Sequence, residues 1–300
     1  MAKPIDIPTT LSRLVKPYCI AKGKGFRLKQ IDPGDTSGLA IDQASADFLL
    51  KQGVERMAEL QEMLYAEGRW ALLVIFQAMD AAGKDSAIKH VMSGLNPQGC
   101  DVHSFRTPVG EELRHDYMWR CLRFLPERGR IGIFNRSYYE EVLAVRVHPE
   151  FLAGQRLPPE LTGKDIWQQR FVDINNLELY LSRNGIRVCK FFLHVSKAEQ
   201  KQRLLDRLER RDKHWKFSPD DVPERERWPD YMAAYEDMIR RTATMDAPWH
   251  VVPADNKWFT RLVVAAAVIQ ALEALNLGYP KVDARLGRQI AAARRRLARE

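Results

Sequence analysis

Cysteine is scarce in this chain, four residues in 300, and no two of them form a CxxC pair. The scatter of Cys19, Cys100, Cys121 and Cys189 argues against a zinc ribbon or a disulfide framework and predicts four free thiols in a reducing compartment. Long apolar runs are also missing. The stretches at residues 70–76 and from Leu262 onward fall far short of the roughly 18 residues that suggest a membrane span. No apolar run followed by a small-residue cleavage site stands near the N-terminus, so no secretion signal is expected and the cytoplasm is the default location. The seven histidines follow no metal-cluster or phosphohistidine pattern, and no Ser-His-Asp or Cys-His arrangement stands out.

What is present is a globular balance, 45% apolar and 29% charged residues, enough to bury a sizeable core as one domain with embellishments. The formal net charge of +8 sits at the ends. Residues 1–30 carry seven Lys/Arg against one Asp and residues 281–300 carry seven against two, which leaves the intervening 250 residues at −3. Such a body is not the uniformly basic surface that coats nucleic acid, and no nucleic-acid or membrane partner is expected.

Residues 1–44, rich in Pro, Gly and Lys without a sustained period, read as an extended or partly ordered arm that wraps the core or a partner subunit. Residues 45–280 read as the core. Leu49, Val54, Met57, Leu60 and Leu64 recur at near-helical spacing before Gly68, which predicts a helix feeding a strand. Residues 70–76, 130–134, 188–195 and 250–253 are short apolar runs without period-two alternation, and residues 101–105 are a fifth strand candidate. Helical patterns at 111–124, 164–183 and 197–211 separate them, an order that predicts a parallel sheet covered on both faces. Ser196 and Glu199 have the spacing of a capping box at the start of the last of these helices. Trp167, Phe171, Ile174, Leu177 and Leu181 read as packing before nucleotide stacking. The charged, proline-punctuated stretch at about 206–230 is expected to leave the sheet as an ordered, mobile excursion. Residues 281–300 read as a basic amphipathic helix.

A strand ending at Phe76, the loop at residues 78–85 (AMDAAGKD) and a helix beginning near Lys84 follow the strand, loop, helix order of a phosphate-binding loop. Backbone N–H groups across Ala81, Ala82, Gly83, Lys84, Asp85 and Ser86 would point at an anion. The helix dipole favours negative charge there, and Lys84 adds a full positive charge. The match to GxxxxGK followed by Ser or Thr is imperfect, because Ala78 replaces the first Gly and Asp85 replaces the hydroxyl that normally holds magnesium. Asp80, inside the loop, would be repelled by bound phosphate unless a metal lay between them, so it points to a magnesium site. Asp85 reads as a helix cap ahead of a holder of metal-bound water. After the strand RIGIF comes NRSYYEE, with Asn135 where P-loop enzymes place the acidic residue that completes the metal site. Glu140 or Glu141 is the substitute ligand, and Arg136 faces the transferring phosphoryl group.

Together, FQAMDAAGKDS, IFNRSYYEEVL, ERRDKHWKFSPDD and APWHVVPADNKW, from about residue 22 to 275, resemble the polyphosphate kinase 2 family; the form FNRSxYE resembles its class III. The resemblance implies an α/β fold: a three-layer α/β/α P-loop parallel sheet, thymidylate-kinase-like, with a helical lid. It also implies Mg2+ dependence with Mn2+ as a substitute, and a homo-oligomer, dimer or tetramer. The implied activity is transfer of the terminal phosphoryl group of inorganic polyphosphate to AMP and ADP, giving ADP and ATP. Carried over to this chain, Asp80, Lys84 and Arg136 form the catalytic set. Arg210, Arg211, Lys213 and Lys216 of the lid join the loop in gripping polyphosphate. Asn135, Arg136, Tyr139 and Glu140 are expected at the nucleotide, and Asp80 and Glu140 at the metal. Ser86, where many members have Gly, and Trp258, which breaks a usually more basic stretch, depart from the pattern.

Two polyanions must meet in such a reaction, and the attacking nucleotide oxygen is already ionised, which predicts direct in-line transfer without a covalent enzyme intermediate. Asn176 and Glu178 are within possible reach of the acceptor on a helix read first as packing, while Asp255, Asn256 and Lys257, after the last strand, are secondary candidates for ligand contacts. The competing functions are an ATP-dependent nucleoside monophosphate kinase and a non-enzymatic polyanion-binding module that uses the basic arm and Arg294, Arg295 and Arg296.

Overall fold

Apolar runs that lack alternation become strands buried on both faces, and that is how the centre of this protein is built. The computed structural model describes residues 13–39 and 43–300. Its six strands are β1 (Cys19–Ile20), β2 (Ala71–Gln77), β3 (Cys100–Ser104), β4 (Ile131–Asn135), β5 (Ile186–His194) and β6 (Trp249–Pro253). They form one sheet in the order β1-β6-β5-β2-β4-β3, parallel throughout except for the antiparallel pairing of β1 with β6. Every residue of β2 is buried, as a central strand covered by helices requires.

The longer helices are α1 (Gln43–Glu67), α2 (Lys84–Val91), α3 (Ile166–Arg183), α4 (Lys197–Glu209), α5 (Trp228–Thr242), α6 (Lys257–Glu273) and α7 (Ala284–Leu297). From β2 the chain crosses to the β3 edge, then returns through β4 to β5 and β6, so its crossovers run in opposite directions along the sheet. Helix α6 packs along α1 and against α2, while α3 packs on β5 and against α5. None of the described helices is long and apolar enough to cross a membrane. The four cysteines are free.

Residues 1–12 and 40–42 of the expected arm lie outside the described residues; in the remainder Tyr18 is buried and β1 adds an antiparallel edge strand. Two local expectations are revised. The helix expected over 111–124 divides into a 3-10 turn at Gly110–Arg114 and a short helix at Trp119–Leu122. Asp116 makes the break: its carboxylate accepts from Met118 N at 2.9 Å and its carbonyl from Trp119 N at 3.2 Å, a local turn that competes with helix continuation. At α4, Ser196 caps Glu199 N (3.1 Å), but the reciprocal half of the capping box is absent. Ser196 N donates instead to Asp255 Oδ1 at 2.8 Å, which leaves Glu199 to accept from Arg203.

Candidate active site

The phosphate loop leaves β2 at the carboxyl edge of the sheet, where open α/β sheets bind ligands. Its turn depends on two left-handed residues, Ala81 (φ 60°) and Gly83 (φ 110°). At the second, a side chain would strain the backbone and bring its Cβ to 3.5 Å from Arg203 Nη1. The first i→i−4 bond of the following helix runs from Ala87 N to Gly83 O, so the N–H groups of Lys84, Asp85 and Ser86 lie outside its ladder. Lys84 is buried, and its ammonium donates to Ala78 O at 2.8 Å and Met79 O at 3.5 Å. Burial and the Arg136 cation lower its pKa, while Asp80, Glu140 and Asp85 act against them.

The loop after β4 meets the phosphate loop from the side. Arg136, itself left-handed (φ 64°), donates through Nη2 to Asp80 Oδ1 at 2.7 Å and lies 3.9 Å from Glu140 Oε2. Glu140 first, then Asp80, raises the guanidinium pKa against the effect of burial. Burial would raise the Asp80 carboxyl, but Arg136 and Lys84 hold it below the ordinary carboxylate range. Gln77 at the end of β2 donates to Glu140 Oε1 at 2.8 Å. Asn135 donates to Asp85 Oδ1 at 2.8 Å, which joins the two loops. Asp80 and Glu140 thus bracket one cation, and both are oxygen donors of the hard type that suits Mg2+. Among the described residues no group of three or more His, Cys, Asp or Glu side chains is assembled for a metal. Two carboxylates completed by substrate phosphates match the usual way Mg2+ is held in phosphoryl-transfer sites.

The four cations expected in a lid are distributed unevenly. Lys216 Nζ stands 3.7 Å from Asp85 Oδ2 and so reaches the phosphate loop. Lys213 acts electrostatically on Lys257. Arg210 is held by Asp212 at 2.7 Å, and Arg211 is exposed. The Ser86 hydroxyl accepts from Arg261 Nη2 at 3.1 Å. The Asp85 carboxylate makes no cap bond and is shared between Asn135 and Lys216.

Tyr139, expected at the nucleotide, lies in the core. It is fully buried, with its hydroxyl donating to Glu178 Oε1 at 2.7 Å, because its ring packs edge-on against Trp249 under the sheet's covering helices. Glu178, on the helix read first as packing, is buried with it. Glu141 is spent on Arg170, 2.8 Å away, leaving Glu140 as the carboxylate that faces Arg136.

Sequence reasoning missed two groups of residues. Arg203 on α4 donates to Ala82 O (2.7 Å) and Ala81 O (3.3 Å) with one nitrogen and to Ala254 O (2.6 Å) and Asp255 O (3.0 Å) with the other. Gln200, one turn earlier, donates to Asp80 O at 2.9 Å. Gln200, Arg203 and Arg207 lie at i, i+3 and i+7, a spacing that marks one polar helix face directed at the loop. Tyr231 and Tyr235 on α5 lie within electrostatic range of Asp80 and Glu140, and no motif signals them.

A phosphate cradle, a buried lysine, an arginine and two carboxylates at the carboxyl edge of a parallel sheet define a P-loop phosphotransferase. Residues 41–278 match the family model described as Polyphosphate kinase 2, and the chain belongs to that family. It is 51% identical over 250 residues to the ADP-polyphosphate phosphotransferase of Rhodopseudomonas palustris, covering 83% of this chain and 86% of that one. It is 42% identical over 269 residues to the AMP/ADP-polyphosphate phosphotransferase of Meiothermus ruber, covering 90% and 97%. The crystal structure of Polyphosphate Kinase 2 from Arthrobacter aurescens superposes with a TM-score of 0.82 at 39% identity, over 91% of this chain and 95% of that chain.

Proposed function

We propose that the chain transfers the terminal phosphoryl group of inorganic polyphosphate to ADP and AMP, yielding ATP and ADP. The observation that carries this reading is the Asp80–Arg136–Glu140 arrangement beside Lys84, on a chain of the polyphosphate kinase 2 family. The bond between the terminal phosphorus and its bridging oxygen breaks, and a terminal oxygen of the nucleotide forms the new P–O bond. The polyphosphate leaves one phosphate shorter. No general base is needed, since the attacking oxygen is ionised.

Lys84 and the loop N–H groups hold the donor, and Arg136 neutralises charge on the transferring group, a contribution of about 2.7–4 kcal/mol for one well-placed donor. Asp80 and Glu140 would hold Mg2+, which would supply positive charge against the repulsion between the phosphates; Mn2+ has the same preference for oxygen donors. Lys216, Lys213, Arg210 and Arg211 belong to a lid over about 206–230 that closes on the chain and excludes water. Asn135 supports the nucleotide side through its bond to Asp85. The working form is a cytoplasmic homo-oligomer, a dimer or tetramer, with residues 45–280 as the kinase core.

The test supplies Mg2+ and AMP or ADP with either polyphosphate or ATP as donor and separates the products by ion exchange. Polyphosphate with AMP is expected to give both ADP and ATP. Transfer supported by ATP alone defeats the reading.

A further inference from the structure

Strand β5 buries one ammonium among apolar neighbours. Lys190, between Cys189 and Phe191, is 0% exposed, and an unpaired charge there would be strongly unfavourable. Its Nζ meets three acceptors: Glu178 Oε2 at 2.6 Å, Thr242 O at 2.8 Å and the Tyr139 hydroxyl oxygen at 2.9 Å. Glu178 accepts on its other oxygen from the hydroxyls of Tyr139 (2.7 Å) and Tyr138 (3.0 Å). All three ammonium protons are used, and both carboxylate oxygens are satisfied.

As a source of stability such a pair is weak, because apolar residues of similar volume commonly serve as well. Its particular contribution is to grip two consecutive tyrosines. They stand between Arg136 and Glu140, the two residues that bracket the site with Asp80. Arg136 adopts a left-handed conformation, which a non-glycine residue keeps only where its surroundings over-determine it. On the upstream side the loop is tied by Arg136 N to Phe76 O (3.0 Å) and by the Ser137 hydroxyl to Gln77 Oε1 (3.2 Å). On the downstream side the side-chain anchors of Tyr138 and Tyr139 end on Glu178 and Lys190.

We propose that Lys190 and Glu178 are positioning residues of the phosphotransfer site, holding Arg136 and Glu140 in place through the hydroxyls of Tyr138 and Tyr139. The proposal rests on the polyphosphate-transfer reading, since it concerns the same guanidinium and carboxylate. A displacement on the order of 1 Å at either is enough to cost about 100-fold in rate.

Glu178→Gln removes the charge at nearly constant volume, and Tyr139→Phe keeps the ring packing while cutting the hydroxyl link. Both full-length variants are compared with the unmodified protein well below their unfolding temperatures. Expected are a kcat reduced roughly 10- to 100-fold, a KM for polyphosphate within about twofold, and Mn2+ affinity of the ADP complex weakened by a similar factor, read by electron paramagnetic resonance. If Glu178→Gln does not fold, Tyr139→Phe carries the test alone. Native kcat and native Mn2+ affinity in Tyr139→Phe, whatever its unfolding temperature, overturn the proposal. Failure of the parent reading looks different: the unmodified protein would then show no polyphosphate-dependent transfer, while the Mn2+ comparison could still be made.

Discussion

Arg136 Nη2 lies 2.7 Å from Asp80 Oδ1, so a cation from the loop after β4 and an anion from the phosphate loop hold each other across the carboxyl edge of the sheet. Side chains on both are about two-fifths exposed, 37% and 40%, which leaves them open to exchange partners with an incoming phosphate. A planar guanidinium can serve Asp80, Glu140 and a phosphoryl oxygen in turn, and a lysine cannot reproduce that fork. Arg136→Lys is therefore expected to lose about 100-fold or more in kcat with little change in unfolding temperature, measured by single-turnover transfer from polyphosphate.

Lys84 is buried, and among the described residues its ammonium is bonded only to backbone carbonyls, with no ion pair at hydrogen-bond distance. Lys84→Met is expected to abolish transfer by at least about 100-fold while preserving the fold, as read by circular dichroism alongside the assay. Retained turnover in that variant would remove the role assigned to the loop.

Glu140 and Glu141 are neighbours with opposite fates. Glu140→Gln is expected to raise the Mg2+ concentration for half-maximal rate by about tenfold or more, with small effect on stability. Glu141→Gln breaks the buried pair with Arg170 and is expected to lower stability by up to about 3–5 kcal/mol while leaving the Mg2+ dependence unchanged. A magnesium titration and a urea midpoint on both variants decide between them.

His194 and His250 are buried, and that burial pushes both down to about 4. In the unfolded chain a histidine titrates near about 6.5, so between these values the unfolded state binds more protons. Stability is then full above about 6.5 and falls as pH drops toward about 4, by on the order of 3 kcal/mol per residue. Carboxylates such as Asp80, whose pKa is lowered, lose their contribution at still lower pH. Urea midpoints between pH 7.5 and 4.5 are expected to decline, and His250→Gln is expected to make the decline shallower by one proton.

Helix α7 has no buried residue, although its last turn carries Arg294, Arg295 and Arg296. Deleting residues 284–300 is expected to change stability by no more than about 0.5 kcal/mol and to leave kcat and the KM for polyphosphate unaltered. A marked loss of polyphosphate affinity would make the basic helix part of the substrate surface.

Contiguous features were the legible ones. The phosphate loop could be read because strand, turn glycine, lysine and helix follow one another, and its geometry is set by neighbours in the chain. The buried strands were legible because a parallel sheet covered on both sides suppresses alternation. The break near Asp116 was not, since a side-chain turn overrode a helical pattern of apolar residues. Nor was the place of Tyr139: paired aromatics beside a phosphate site suit stacking as well as packing, and only the closeness of Trp249 and Glu178 turns this ring inward.

By itself, the sequence determined the five parallel strands, the phosphate loop and the family motifs, because these depend on residues close together in the chain. The tertiary structure decided which of two adjacent glutamates faces Arg136, which carboxylate receives Lys190, and how Arg203 ties Ala81 and Ala82 to Ala254 and Asp255. Successive residues of a 3-10 turn point about 120° apart, so Glu140 and Glu141 diverge, one toward the site and one toward the core. Which direction is which depends on the packing of α3 and β5 beneath the turn, fixed by charges that meet only when distant segments fold together.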